Sequence, residues 1–203
     1  MKKTIFILGT LTTFGLTAFV SSKSHVDTYK ADTKNSSLEW FAEKVGGKHN
    51  GTITLTSGEI KNDHENLSGT FEIDMTTIAD KSMEAGEWKA KLENHLKSAD
   101  FFDVTKHPKA TFAMTSATPI KDAKKDGFTH SVKGNLTIKG ITKEITFEAA
   151  IKMEAAKIAC VGTAIVDRSK FDVKYGSKSF FPEIGDKMIY DEFKLKFNVL
   201  AVK

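Results

Sequence analysis

Six histidines, one cysteine and Arg168 are the side chains most able to do chemistry in this chain of 203 residues. His25, His49, His64, His95, His107 and His130 show neither His-x-His nor His-Glu-x-x-His spacing, and no cysteine accompanies them, so no metal site is predicted. No Gly-x-Ser-x-Gly elbow occurs, although a Ser-His-Asp set assembled from distant segments is invisible at this level. Cys160 sits in a run of small apolar residues, the setting of a buried, inert thiol. Arg168 follows Asp167 and precedes Phe171. It could meet a ligand's oxygen atoms, or pair with Asp167, Asp172 or Asp191. None of these features predicts a catalytic or metal site.

The elements that must carry these residues are strands. Apolar residues alternate with polar ones in runs bounded by turn residues, the pattern of half-buried antiparallel ladders. Leu38, Trp40 and Ala42 form one inner face, and Phe71, Ile73 and Met75 another. Ala110, Phe112 and Met114 follow in a run ended by Pro119, which cannot continue a central ladder. Val132, Leu136 and Ile138 come next, then a turn at Gly140, then Ile145, Phe147, Ala149 and Ile151. Ile158, Cys160, Gly162, Ala164 and Val166 precede the clearest run, Phe193, Leu195, Phe197, Val199 and Ala201. With a further run near 52–60, about eight strands are expected, enough for a closed barrel whose interior can hold a small ligand. One segment breaks the alternation: Trp88, Leu92 and His95 or Leu96 recur at helical spacing, with Ser82 placed to cap. The expected architecture is all-β, an antiparallel sandwich or closed barrel, with one helix over about residues 83–96. Asp100, Phe101 and Phe102 directly after the helix would plug or gate the barrel end.

Composition narrows the function classes. Lys2 and Lys3, an uncharged stretch from Thr4 to Val20, and small residues at Ser21 and Ser22 have the layout of a secretory leader over 1–22. One domain over 23–203 and a periplasmic location follow. The formal charge of +4 falls to +2 without Lys2 and Lys3, and lysines and carboxylates interleave throughout. A nucleic-acid partner has no electrostatic footprint there. A single cysteine forbids an intrachain disulfide, and none lies at the leader's exit to carry a lipid anchor.

Three stretches carry a family resemblance: His95-Leu96-Lys97-Ser98-Ala99-Asp100-Phe101-Phe102-Asp103 with Lys106-His107-Pro108-Lys109-Ala110-Thr111-Phe112; Val132 through Lys143; and Asp167-Arg168-Ser169-Lys170-Phe171. In order and spacing, over roughly 28–202, the chain resembles the YceI-like family of lipocalin-like, polyisoprenoid-binding proteins. Asn35, Glu93 and His107 depart from the residues common in that family. The resemblance implies a single extended antiparallel eight-stranded lipocalin-like barrel around a long tunnel, and a ligand that is an isoprenoid quinone, a polyprenyl chain, or a fatty amide or acid. No catalytic apparatus or required cofactor comes with it. Candidate tunnel-lining residues are Trp40, Phe71, Ile73, Met75, Phe112, Met114, Leu136, Ile138, Phe147, Phe193, Leu195 and Phe197, with Arg168 a candidate contact for a pyrophosphate or quinone carbonyl. Transient membrane-surface contact and a homodimer paired through exposed sheet edges are further expectations. Composition alone leaves two states open. Large and small inward residues leave a channel, or they fill one another's gaps as a solid core of structural or stress-response use.

Overall fold

Alternating runs joined by tight turns become consecutive hairpins. The computed structural model describes residues 26–124 and 127–203, so the expected leader over 1–22 lies outside the described residues. The strands are β1 (Asp27–Ala31), β2 (Ser37–Lys44), β3 (Gly47–Asp63), β4 (Asn66–Asp80), β5 (Lys109–Pro119), β6 (His130–Ile138), β7 (Ile141–Glu154), β8 (Lys157–Asp167) and β9 (Ile189–Val202). A single α-helix, α1 (Glu87–Lys97), lies between β4 and β5, and short 3-10 turns occupy Arg168–Phe171 and Gly185–Lys187.

β2 through β9 form a closed antiparallel ring, sealed by the β3–β4 ladder and by β2 lying between β3 and β9. β1 extends the wall beyond the end of β2: Tyr29 pairs with Ile60 of β3, and Ala31 with Ala201 of β9. β1 and β2 are thus two halves of one broken wall strand. At the break, Asp32 Oδ1 accepts the backbone N–H groups of Lys34 and Asn35, each at 3.2 Å. Ser36 Oγ donates to Asp32 O (2.7 Å) and accepts from Leu200 N–H (3.1 Å), so polar backbone groups stay satisfied across the interruption. Every wall strand has two ladder partners, and a homodimer would have to form through side chains rather than through ladder edges.

The connections sort to two ends. The β2–β3 turn, α1, the β6–β7 turn at Lys139–Gly140 and the long 168–188 segment share one end, here the capped end. The other end carries the β3–β4, β5–β6 and β7–β8 connections. Lys139 and Gly140 both have positive φ, 50° and 74°, the two-residue hairpin conformation that the glycine signals.

Two details differ from the sequence expectation. α1 begins at Glu87 because Ser82 Oγ donates to the Asp80 carboxylate (2.8 Å) instead of capping the helix, and Gly86 at the N-cap supplies no side chain. Trp88 faces out at 72% exposed, covered only by Lys91 Nζ, 4.6 Å from its ring centroid. The helix is held by Leu96, which packs on the core, and by Glu93, which accepts the backbone N–H of Asp80.

Candidate functional site

The inner faces of the strands point at one another across the barrel, and what lies between them is space. Two apolar lobes run end to end, with Ile73, Leu136, Val166 and Leu195 in the walls of both. Each is a cavity of about 90 Å³. Phe71, Met114, Phe112, Phe147 and Phe197 line the far lobe, and Trp40, Met75, Ile138 and Phe193 the lobe under the capped end. With Ile73, Leu136 and Leu195, all twelve residues named as lining candidates stand in these walls. Ile145, Phe147, Cys160, Phe193 and Leu195 line these lobes and are only partly buried. A close-packed interior would leave them no exposed surface.

Glycines explain how so many rings leave a channel. A Cβ on Gly51 would lie 2.6 Å from the Trp40 ring, on Gly58 2.6 Å from Phe71, on Gly134 2.5 Å from Phe112, and on Gly162 2.6 Å from Phe197. Each ring is parked on a neighbouring strand where no side chain stands, so it lies against the wall instead of across the lumen. A second wall set was missed by sequence reasoning: Ile53, Leu55, Ile60, Leu67 and Ile78. Register irregularities between Thr52 and Thr54 and between Leu55 and Ser57 interrupt the alternation along β3, so Leu55 and Ile60 both face in despite an odd separation. At the matching interruption in β4, Thr77 Oγ1 accepts from Thr54 N–H at 2.9 Å.

Arg168, the only arginine in the chain, closes the capped end. It is 3% exposed. Its Nε donates to Tyr190 O (3.3 Å), Nη1 to Val173 O (3.0 Å) and Tyr175 O (2.8 Å), and Nη2 to Ile189 O (3.0 Å). Nη2 also lies 3.3 Å from Asp191 Oδ1. A guanidinium has five N–H groups; four of them donate to these backbone carbonyls. The flat face stacks 5.3 Å from the centroid of Phe101. Burial pulls its pKa down from the ordinary value, while Asp191 and Asp167 hold it up. Of the two roles open in the sequence, this geometry shows the pairing with Asp191 and the binding of the 168–188 segment, while Arg168 also stands in the wall of the lobe under the capped end. Phe101 and Phe102 pack edge to face at 5.0 Å and plug the same end, and His95 is held between Phe101 and Tyr175, 5.9 and 4.2 Å from their ring centroids.

The fold does bring a serine, a histidine and an aspartate together. Ser82 Oγ donates to the fully buried Asp80 carboxylate at 2.8 Å, and His49 Nδ1 lies 3.0 Å from the same Oγ. The order is wrong for nucleophilic catalysis, because the hydroxyl proton goes to the carboxylate and the carboxylate does not orient the imidazole through its second nitrogen. Asp80 also accepts Met83 N–H (2.8 Å), so the cluster secures the approach to α1. Cys160 lines the far lobe, and burial pushes its thiol up to about 12. Among the described residues, no three His, Cys, Asp or Glu side chains converge as metal ligands would.

Residues 29–201 match the family model described as the YceI-like domain. The chain belongs to the YceI-like family. Curated members share a shorter, closer stretch: Protein YceI of Shigella flexneri is 45% identical over 62 residues, and a UPF0312 protein of Pectobacterium carotovorum 44% identical over 62 residues. Those matches span 30% of this chain and 29% of each relative. Among solved structures, BcnA of Burkholderia cenocepacia superposes with TM-score 0.65 at 22% identity, over 85% of this chain and 99% of that one. A polyisoprenoid binding domain from Saccharophagus degradans superposes with TM-score 0.63 at 14% identity, over 86% and 97%. At these identities the YceI-like likeness shows a shared barrel fold.

Proposed function

We propose that this YceI-like barrel holds the apolar chain of a polyisoprenoid, either a quinone or a polyprenyl lipid, or of another long-chain amphiphile, and carries it between membranes outside the cytoplasm. The observation that carries this reading is the pair of adjoining apolar lobes, which share four wall residues and leave inward side chains partly uncovered. The filled-core alternative predicts no such surface. The solved Saccharophagus degradans neighbour, a polyisoprenoid binding domain, supports the same ligand class. A strand of 14 residues such as β7 or β9 is about 46 Å long at 3.3 Å per residue. That length suits an extended chain.

Energetics favour carriage over storage. Each methylene moved from water to the lumen gains about 0.8 kcal/mol, but from a bilayer the chain exchanges one apolar medium for another, and the net change is small. Uptake then requires contact with a membrane. Exposed large apolar residues gather toward the capped end, where Phe41, Val45, Trp88, Ile165, Tyr175, Phe180, Phe181 and Tyr190 lie. Lys91 over Trp88 and Lys174 over Phe180 give this surface the mixed aromatic and cationic character of an interfacial anchor. The leader layout at 1–22 supports secretion, and the mass of the periplasmic species, beginning near residue 23, checks it.

Organic extraction of the purified protein followed by mass spectrometry tests the proposal, beside an Ala164→Phe variant that fills the lumen from a wall position 4% exposed. Stoichiometric prenyl or other long-chain lipid in the native protein, lost from a still-folded variant, is expected. Empty extracts from both, with no uptake of added prenyl lipid, would return the protein to the filled-core class.

A further inference from the structure

The ring of strands is closed, but one of its ladders stops early. β7 and β8 pair from Glu154 and Lys157 beside their turn up to Ala149 and Gly162, and make no further pair among the described residues. The same register would set Glu148 against Thr163 and continue to Glu144 against Asp167. Instead residues 141–148 ladder only with β6, and residues 163–167 only with β9. The two strands therefore part along a seam that runs from the middle of the wall up to the capped end.

Burial changes at the seam. Below it, the inward residues Ala149 and Ile151 of β7 are 0% and 8% exposed. Along it, Ile141, Ile145 and Phe147 are all half-buried, and Lys143, inward by its pairing with the buried Leu136, is exposed. A lysine on an inner face keeps its ammonium in water only where the wall leaves it a way out. Across the seam, β8 turns the short side chains Ala164 and Val166 inward and Ile165 outward, 57% exposed. Ile145, Phe147, Ala164 and Val166 also line the far lobe, so the seam borders the lumen.

The other routes inward are covered. Phe101 and Phe102 plug the capped end, and Tyr29, Ile60, Leu67 and Ile158 are buried at the far end. The break between β1 and β2 leaves residues 54–58 of β3 without a ladder partner on that side, yet Leu55 behind it is 4% exposed. Parting strands elsewhere in the wall breaks ladder hydrogen bonds, whereas parting β7 from β8 above Ala149 breaks no ladder pair. One bond spans the top of the seam: Lys139 Nζ, in the β6–β7 turn, donates to Asp172 O, just beyond β8, at 2.8 Å.

We infer that a long-chain ligand enters and leaves the lumen sideways, through the seam between β7 and β8, and that the Lys139–Asp172 bond is the clasp that holds this mouth shut. This rests on the lipid-holding reading above and goes beyond it by naming the route. A sideways mouth lets the tail slide in while the polar head stays in water. End-on threading would drag the head through an apolar lumen, at the cost of its hydration. The seam also reaches the capped end, where Ile165, Tyr175 and Tyr190 are exposed toward a bilayer.

Stapling the seam tests this. Thr146 and Ile165 stand opposite each other in the continued register, both exposed, so Thr146→Cys with Ile165→Cys, in a Cys160→Ala background, can be bridged by a short bismaleimide. Thr33→Cys with Ser57→Cys, across the outer cleft at the β1–β2 break, is the control bridge. The probe is cis-parinaric acid, delivered from phosphatidylcholine vesicles and followed by its fluorescence. The seam bridge should slow uptake and release severalfold and leave final occupancy unchanged; the control bridge should alter neither. Lys139→Met, which adds no cysteine and decides even where a bridge does not form, should speed uptake and release alike by about two- to tenfold, the worth of one net hydrogen bond. Unchanged rates in the seam-bridged protein, or slowing by the control bridge alone, overturns the lateral route; unchanged rates in Lys139→Met overturn the clasp. Native protein that takes up no probe at all overturns the lipid-holding reading itself.

Discussion

Replacing Arg168 by methionine separates a structural latch from a ligand contact. Four backbone carbonyls, those of Val173, Tyr175, Ile189 and Tyr190, accept from the guanidinium, and Asp191 faces it at 3.3 Å. Methionine preserves much of the apolar stem against Phe101 but removes every donor. Breaking a buried ion pair by deleting one partner costs about 3–5 kcal/mol. At about 2–4 °C per kcal/mol for a domain of this size, the melting temperature should fall by about 6–20 °C. Asp191→Asn should cost less, because it leaves the four carbonyl bonds intact, and the double variant should resemble Arg168→Met. Thermal unfolding followed by circular dichroism, on delipidated protein, measures all three. If Arg168→Met melts within about 3 °C of the native protein, roughly 1 kcal/mol, while losing its lipid, the guanidinium serves the ligand and the latch argument is wrong.

Three further outcomes follow from the geometry. Cys160, with its thiol pushed up to about 12 by burial, should resist alkylation at pH 8 in the folded protein and react promptly in denaturant. Its raised folded pKa contributes stability in full below the unfolded thiol's range; that contribution is lost as pH rises from about 9 toward 12, so Cys160→Ala should show a shallower alkaline loss of stability than the native chain. Gly134→Ala would set a Cβ 2.5 Å from Ala113 O and from the Phe112 ring, and chemical denaturation should show a loss of about 1–3 kcal/mol, the usual scale of overpacking. Trp88→Ser, at a residue 72% exposed, should leave the melting temperature within about 2 °C and lower co-flotation with anionic vesicles; unchanged flotation would remove the capped end as the membrane-facing surface.

The alternation of Phe193 through Ala201, and the matching runs around Ile73, Phe112, Leu136 and Phe147, determined the strands and their inner faces without any tertiary information. A side chain that alternates with lysine or glutamate every second residue has only one face on which it can be buried. The same logic was silent at Ile53, Leu55, Ile60 and Ile78, where register irregularities alter the phase, because a bulge depends on the partner strand and leaves no periodic trace. The sequence also determined that a helix follows β4. Only the tertiary structure decided that it starts at Glu87 and turns Trp88 outward, since Ser82 is drawn to a buried Asp80 whose environment is assembled from β3, β4 and α1. Open lumen against solid core was decided by tertiary structure too. Both states have the same composition and period, and the difference lies in which ring meets which glycine across a ladder: Trp40 with Gly51, Phe71 with Gly58, Phe197 with Gly162. Arg168 shows the same division most sharply. Its charge and its neighbours Asp167 and Asp172 are local facts, but the carbonyls of Ile189 and Tyr190 that take its donors lie more than twenty residues away, and only the closed capped end brings them within hydrogen-bonding distance.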